Sequence, residues 1–168
     1  KLFNDNRYFN ARVFAGTFLY NTTKNDNYNF GVSRVNDYMF DYAVYARSDT
    51  TGILSQQYIN AQGGFKSYLN PPEADQWLTT ANLSYSILWN WVDAYADFGF
   101  IKNKGASNTF LYDSGIRLNL VQDYFELYFP VYSSNGFELS EKNYGEKIRF
   151  IFIFNPKSLI NLFTRKWF

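Results

Sequence analysis

The sequence predicts an all-β fold, an antiparallel up-and-down β-barrel of about eight strands. Apolar and polar residues alternate over most of the chain, and this alternation is the period of a β-strand. Aromatic side chains are abundant, with 15 Tyr, 18 Phe and 4 Trp among 168 residues. That content argues against disorder and against a plain helical bundle. We therefore expect residues 1–168 to form a single β domain or the C-terminal part of a larger barrel.

The clearest alternation runs over Thr109–Tyr132. With a two-residue turn at Gln122–Asp123, Leu120 pairs with Phe125 and the two arms of a hairpin align. All the apolar side chains of the hairpin then lie on one face, and its charged side chains lie on the other. Those charged side chains are Asp113, Arg117 and Glu126.

The other strands are predicted from the same period. In chain order they are Arg7–Tyr20, Tyr28–Arg47, Ile53–Tyr68, Gln76–Leu88, a strand that begins at Val92, and Glu146–Asn155. The Ile53–Tyr68 segment is the weakest of them, because it lacks a clean period and Gly63–Gly64 suggests a bulge.

Turns and loops set the direction of these strands. A two-residue turn at Trp89–Asn90 pairs Ile87 with Val92 and Ser86 with Asp93, so polar residues again meet polar residues. Longer polar loops alternate with such tight turns along the chain. Both chain ends are therefore expected on the side of the tight turns.

Side-chain volume indicates which face is the inside. The apolar face carries large aromatic and aliphatic side chains on nearly every strand, whereas an eight-stranded barrel has an interior only just wide enough for side chains. The polar face carries smaller residues and a charge-balanced set of ionic groups. That set, the predicted ion network of the lumen, is Arg12, Asp41, Arg47, Asp93, Asp97, Asp113, Arg117, Glu126, Lys147 and Arg149.

An inverted barrel accommodates both faces, with apolar residues toward lipid and polar residues in the lumen. The fold class is therefore a transmembrane β-barrel, placed in a bacterial outer membrane with both termini periplasmic. The aromatic residues Trp77, Trp89, Trp91 and Trp167 are predicted to lie at the membrane interfaces. The alternative is a soluble lipocalin-like barrel that binds an apolar ligand.

Two features need local explanations. Pro130 interrupts a strand that closure would place away from an edge, and a bulge or a position near the rim would accommodate it. Residues 156–168 begin at Pro156, directly after Asn155. They are predicted to form either a short interfacial helix, which we favour, or one more strand. The terminal Phe168 is a candidate signal for the outer-membrane assembly machinery, or an aromatic residue that only packs.

Composition excludes several kinds of chemistry. The net charge of +1 offers no electrostatic case for nucleic acid. The chain has no Cys and no His, which removes thiolate chemistry, the commonest general base and most zinc sites. We predict no catalytic residue, no metal site and no cofactor. Asp93 and Asp97 could form an acid–base pair, but a structural ion network explains them better.

Three segments resemble a known family. They are TGILSQQYINAQGGFKSY at 51–68, YDSGIRLNLVQDYFELYFPVYSSNGFE at 112–138 and YGEKIRFIFIFNPKSLINLFTRKWF at 144–168. They are similar to the C-terminal region of Bacteroidota gluzincin-type, aminopeptidase-like metallopeptidases, and more loosely to the closing strands of BamA-like barrels.

The resemblance implies a role for the chain. The catalytic zinc of that family lies in an upstream soluble domain with a His-Glu-x-x-His motif, so no catalytic residue carries over to this chain. The chain is then a non-catalytic membrane anchor or scaffold of a metallopeptidase-like protein, or a component of a larger outer-membrane complex. Its expected partners are the lipid bilayer, the assembly machinery and other outer-membrane proteins. A BamA-type pore or insertase fragment is a further alternative.

Overall fold

One antiparallel sheet dominates the structure, a computed structural model that describes residues 7–20, 29–32, 64–88, 91–121 and 125–152. The strands are β1 (Phe9–Thr17), β2 (Phe30–Gly31), β3 (Glu73–Ala74), β4 (Trp77–Leu88), β5 (Val92–Lys102), β6 (Thr109–Val121), β7 (Phe125–Ser133), β8 (Gly136–Phe137) and β9 (Arg149–Phe152). A 3₁₀ turn covers Glu138–Ser140, and the single-turn helix α1 covers Tyr144–Lys147. In the described ranges, no helix is long and apolar enough to cross a membrane. The all-β prediction is confirmed.

The large sheet runs in the order β1-β4-β5-β6-β7, and β7 then pairs with both β8 and β9. The predicted neighbour-to-neighbour order is wrong at one point, because β1 pairs directly with β4. Thr17 at the end of β1 lies opposite Trp77 at the start of β4. No strand therefore lies between β1 and β4, and Phe18 and Gln76, the residues that follow β1 and precede β4, meet at one end of the sheet through a backbone hydrogen bond of 2.9 Å.

Between residue 20 and β4, the structure describes residues 29–32 and 64–76. Phe30–Gly31 pairs with Glu73–Ala74 in a separate two-stranded ladder. Residues 64–68 form no ladder, so the strand predicted over Ile53–Tyr68 is wrong for this part. Residues 33–63, which hold the rest of the two strands predicted there, lie outside the described residues.

The two predicted hairpins form with the expected register along most of their length. In β4–β5, Ser86 pairs with Asp93 as predicted, but Leu88 replaces Ile87 opposite Val92 through an irregularity next to the turn. In β6–β7 the predicted register holds from Asn119–Glu126 to Gly115–Pro130. Next to that turn, Val121 takes the place of Leu120 opposite Phe125. Three residues therefore separate the last paired residues of each hairpin, whereas the tightest hairpin has two.

Pro130 lies at a second irregularity of β6–β7, where Gly115 pairs with Pro130 and Ser114 pairs with Tyr132. Val131 is the extra residue of this bulge. Of the two explanations that the sequence left open for Pro130, a bulge or a position near the rim, the bulge is therefore present. Because proline has no N–H to donate, an irregular position accommodates it inside a sheet.

The two faces of the sheet differ in burial. On β5, Asp93, Tyr95, Asp97, Gly99 and Ile101 are buried, while the alternating residues are half-buried or exposed. We call the face that holds Asp93 and Asp97 the inner face, and the opposite face the outer face. Asp93 and Asp97, which we predicted to share the polar face, thus lie on the buried face of β5.

Two short stretches, residues 29–32 and 64–75, lie against the inner face, and we call them the inward segments. They contribute Phe30, Val32, Phe65, Leu69 and Ala74 to a hydrophobic cluster that also contains Leu78, Ile101 and Leu111. This cluster lies at the loop end of the sheet, which we define by Thr17, Trp77, Lys102, Thr109 and Ser133. The opposite end, defined by Phe9, Leu88, Val92, Val121 and Phe125, is the turn end.

The last predicted strand begins later than expected. Glu146 and Lys147 belong to α1, and the strand starts at Arg149. Lys147 is therefore not part of a strand face, and its predicted position in the lumen network is wrong for that reason. Residues 153–168, which include the predicted tail helix, lie outside the described residues.

Candidate functional site

The buried inner face of β4, β5 and β6 forms a polar wall, and this wall is the candidate site. Strand pairing places Asp93 beside Arg117, and Asp97 beside Asp113. The three aspartates are at most 1% exposed. Because a buried charge is costly unless it is paired and hydrogen-bonded, the donors around each carboxylate decide what the wall can do.

At the turn end, one carboxylate collects several donors. The Asp93 carboxylate accepts hydrogen bonds from Arg117 Nε at 2.8 Å, Tyr8 Oη at 2.6 Å and Asn119 Nδ2 at 2.8 Å. Arg117 also donates through Nη2 to the Tyr8 hydroxyl at 2.9 Å. This cluster joins Tyr8, just before β1, to two strands in the middle of the sheet.

The same arginine extends the cluster to β7. Arg117 Nη1 lies 3.6 Å from Glu126 Oε1, and its guanidinium carbon lies 5.9 Å from the centroid of the Tyr128 ring. The Tyr128 hydroxyl donates to Glu126 Oε2 at 2.7 Å. The guanidinium on β6 thus has an acidic partner on each side, Asp93 on β5 and Glu126 on β7.

In the middle of the wall, Lys66 reaches in from an inward segment. Its Nζ donates to Asp97 Oδ2 at 2.9 Å, and Asn82 Nδ2 donates to the other oxygen of that carboxylate at 2.7 Å. The backbone N–H groups of Lys66 and Ser67 both donate to Asp113 Oδ2, at 2.5 and 2.7 Å. The two adjacent carboxylates are therefore held by one short piece of chain.

Two small residues on the inner face make room for the inward segments. A Cβ on Gly99 would lie 2.9 Å from the Phe65 ring, and a Cβ on Gly16 would lie 2.8 Å from the Phe30 ring. Such distances are closer than atoms of a packed core tolerate. Glycine at these two positions therefore lets aromatic rings of the inward segments pack directly on the sheet.

A third polar cluster lies at the loop end, beyond the strands. Glu138 is buried and accepts hydrogen bonds from Ser133 and from the ammonium group of Lys147. Burial alone would raise the pKa of the Glu138 carboxyl, but the hydrogen bonds from Lys147 and Ser133 outweigh it and lower that pKa below its ordinary value of 4.5. Burial, with the charge of Glu138, raises the pKa of the nearby Tyr144 hydroxyl.

The structure separates the predicted network residues into groups. Asp93, Arg117 and Glu126 meet in one cluster, and Asp97 and Asp113 meet in another. Arg12 lies on β1 opposite Asn82, and Arg149 is buried and donates to the Glu146 carbonyl at 2.7 Å. Lys147 bonds Glu138 outside the wall. Asp41 and Arg47 lie outside the described residues.

The predicted interfacial tryptophans can be placed in part. Trp77 starts β4 at the loop end, and Trp91 is 65% exposed next to the turn before β5. These two indoles therefore lie near opposite ends of the sheet. Trp89, Trp167 and the predicted assembly signal Phe168 lie outside the described residues.

Several functional residues were missed from the sequence, chief among them Lys66, Tyr8, Asn119 and Tyr128. Lys66 lies in a stretch without a clean period, so alternation could not assign it to a face. The signal that could have found it is the Gly63–Gly64 pair before it. Glycine readily adopts the positive φ that a change of chain direction can require, and Gly64 has a φ of 68°.

Chemically, the wall is suited to holding chain segments together. Its carboxylates are engaged by Lys66, Arg117, Tyr8 and backbone N–H groups rather than presented to an open cleft. Among the described residues, no set of three or more acidic side chains is arranged to hold a metal ion. No protein-family model, curated protein or solved structure matches this chain.

Proposed function

We propose that this chain forms part of the wall of an outer-membrane β-barrel and serves as a non-catalytic membrane anchor or scaffold. The observation that carries the proposal is the inverted part of the sheet, between its middle and its turn end, where charged residues lie on the buried face and large apolar residues on the outer face. A soluble β-sheet presents the opposite arrangement, because water favours polar side chains and the core favours apolar ones.

The outer face is apolar over a large area. Its exposed side chains include Val13, Phe98, Phe100, Phe110 and Leu120. Phe110 packs on Phe100 with ring centroids 4.8 Å apart, so aromatic rings form a continuous surface across β5 and β6. An exposed apolar surface that crosses several strands marks an interaction with lipid or protein.

Strand length also supports a membrane. Strands β4, β5 and β6 contain 12, 11 and 13 residues. A tilted strand of about 9–11 residues crosses a bilayer core, so each of these three is long enough. In lipid, every backbone group needs a partner, and we propose that further strands complete the sheet into a closed barrel.

The inner face does not favour the lipocalin-like alternative. A pocket for an apolar ligand is lined mainly by hydrophobic and aromatic side chains. Here the centre of the inner face holds Asp97 and Asp113, and it is covered by Lys66. We propose instead that the inward segments fill the interior and that the barrel conducts no ions.

The resemblance stated above extends the proposal to a partner domain. We propose that the barrel anchors a metallopeptidase-like domain that lies upstream in a longer protein, or belongs to a larger outer-membrane complex. A His-Glu-x-x-His motif in the gene sequence upstream of Lys1 supports the first of these. An upstream sequence without that motif removes the peptidase and leaves the barrel proposal unchanged.

The membrane proposal is tested by two matched substitutions, Phe98→Arg and Phe137→Arg. Both side chains are exposed, by 39% and 53%, but Phe98 lies near the middle of β5 and Phe137 in β8 at the loop end. An arginine at the centre of a bilayer costs about 2–4 kcal/mol, and one near the interface about 0–1 kcal/mol. We expect Phe98→Arg to reduce the free energy of unfolding from lipid vesicles by the larger amount.

Equal effects of the two substitutions contradict the membrane proposal, because exposed positions in water tolerate either change within about 0.5 kcal/mol. Purification of the unmodified chain as a soluble monomer without detergent contradicts it as well.

A further inference from the structure

The Nζ of Lys66 lies in a cage that combines the features used to bind an ammonium group. Asp97 Oδ2 and the Gly64 carbonyl each accept a hydrogen bond from it at 2.9 Å. The ring centroids of Tyr95 and Tyr128 lie 5.6 and 5.3 Å away. A carboxylate, a carbonyl oxygen and two aromatic faces together favour a cation that carries N–H donors.

The side chains of the cage are buried. Tyr95, Tyr128 and Asp97 are 4%, 5% and 1% exposed. The two rings pack edge to face with centroids 5.3 Å apart, which holds both in place. Asn82 Nδ2 donates to the Asp97 oxygen that Lys66 does not use, at 2.7 Å, and so orients the carboxylate.

Two buried polar atoms of this part of the inner face, Asp113 Oδ1 and the Tyr95 hydroxyl, can still accept or donate hydrogen bonds. In the described part of the chain, neither Asp113 Oδ1 nor the Tyr95 hydroxyl has a hydrogen-bond partner. Asp113 is fully buried, and its other oxygen already binds the backbone N–H of Lys66. The part of the inner face that holds Lys66 thus contains polar atoms that no described residue satisfies.

We propose that Asp97, Tyr95, Tyr128 and the Gly64 carbonyl form a binding site for a primary ammonium group, which Lys66 of the same chain occupies here. A free linear alkylammonium ion takes the site when the Lys66 side chain is removed. The site is independent of the proposed membrane role, because it depends only on contacts inside the inner face.

The test uses Lys66→Ala in the full chain, refolded in mild detergent, with n-propylammonium as the probe. This ion replaces the three carbons and the nitrogen that the substitution removes beyond Cβ. A ligand that binds only the folded state raises the apparent Tm as its concentration increases. We expect saturating n-propylammonium to raise the apparent Tm of Lys66→Ala by at least about 2–4 °C. Tetramethylammonium has no N–H donor, so we expect it to leave the apparent Tm unchanged.

Three control proteins should show no response to n-propylammonium. The unmodified chain has its site filled by Lys66. The double variant Lys66→Ala with Asp97→Asn lacks the carboxylate charge. Lys102→Ala removes another lysine, whose Nζ donates to the Ala106 carbonyl at 2.6 Å at the loop end, and creates no such cage.

Three results overturn the proposal. One is a folded Lys66→Ala whose Tm does not change with n-propylammonium. Another is an equal rise with tetramethylammonium or sodium, which is the behaviour of a general salt effect. The third result applies if Lys66→Ala does not fold without the probe, in which case the refolded yield is measured instead. A yield that stays at zero at every n-propylammonium concentration then overturns the proposal.

Discussion

Asp93 shows how the inner face holds charge at the scale of a single residue. Its carboxylate has hydrogen-bond donors from Arg117 and Asn119 on β6 and from Tyr8 just before β1, two parts of the chain that are far apart in sequence. Hydrogen bonds to a charged group are stronger than neutral ones, and removing one partner leaves a buried charge. Each donor therefore constrains the position of the others.

Glu138 gives a pH dependence that can be measured. Its pKa is lowered in the folded chain below the ordinary value of 4.5, because hydrogen bonds from Lys147 and Ser133 outweigh burial. The unfolded chain therefore binds this proton at a higher pH than the folded chain does. The contribution of Glu138 to the free energy of unfolding is fully present above the unfolded pKa and is lost as the pH falls through the folded pKa.

We expect Glu138→Gln to remove this part of the acid sensitivity. The measurement is the free energy of unfolding by denaturant at a series of pH values from neutral to below the unfolded pKa. Glu141→Gln is the matched control, because Glu141 is exposed three residues later. An acid profile of Glu138→Gln that is identical to that of the unmodified chain contradicts the assignment.

At the scale of elements, the hairpins follow from local patterns. Alternation predicts both the β4–β5 and the β6–β7 registers, because a shift by one residue would exchange the faces of a whole strand. The added residue at each turn could not be predicted in this way. Turn geometry depends on backbone angles that the alternation of side chains does not report.

The β6–β7 bulge depends on glycine as well as on proline. A Cβ on Gly115 would lie 2.1 Å from the Phe129 carbonyl oxygen and 2.8 Å from the Tyr95 ring. A backbone atom cannot move aside as the end of a flexible side chain can. We conclude that the absence of a side chain at Gly115 lets β7 pass close to β6 next to Pro130.

Gly115→Ala should therefore destabilise the chain by about 1–3 kcal/mol, the usual cost of overpacking. Gly145→Ala is the matched control, since nothing lies within 4 Å of a Cβ there. Denaturant unfolding of both variants in the same detergent is the measurement. A Gly115→Ala chain as stable as Gly145→Ala would mean that the two strands do not approach closely at the bulge.

At the scale of the whole molecule, the sequence predicts which residues share a face of the sheet better than it predicts which strands pair. The all-β class, the polar inner face and most pairings from β4 to β7 follow from local period and turn signals. The direct contact of β1 with β4 does not, because it joins residues such as Val13 and Ala81 that are far apart in the chain. The inward position of Lys66 was missed for a related reason, since a stretch without a period carries no signal of the surface on which it packs.

These features together describe a sheet whose inner face is covered in part by its own chain. The inward segments pack aromatic rings on Gly16 and Gly99, and Lys66 neutralises part of the acidic wall. The apolar outer face remains exposed. Its orientation toward lipid is the central claim.

Single-cysteine labelling tests that claim most directly, because the chain contains no cysteine of its own. Phe98→Cys and Phe137→Cys, each labelled with the fluorophore bimane, are reconstituted in vesicles that contain lipids with a nitroxide in the middle of the acyl chain. We expect strong quenching of the label at position 98 and weak quenching at position 137. Quenching of both labels by aqueous iodide, with none by the nitroxide lipids, would contradict a lipid-facing sheet.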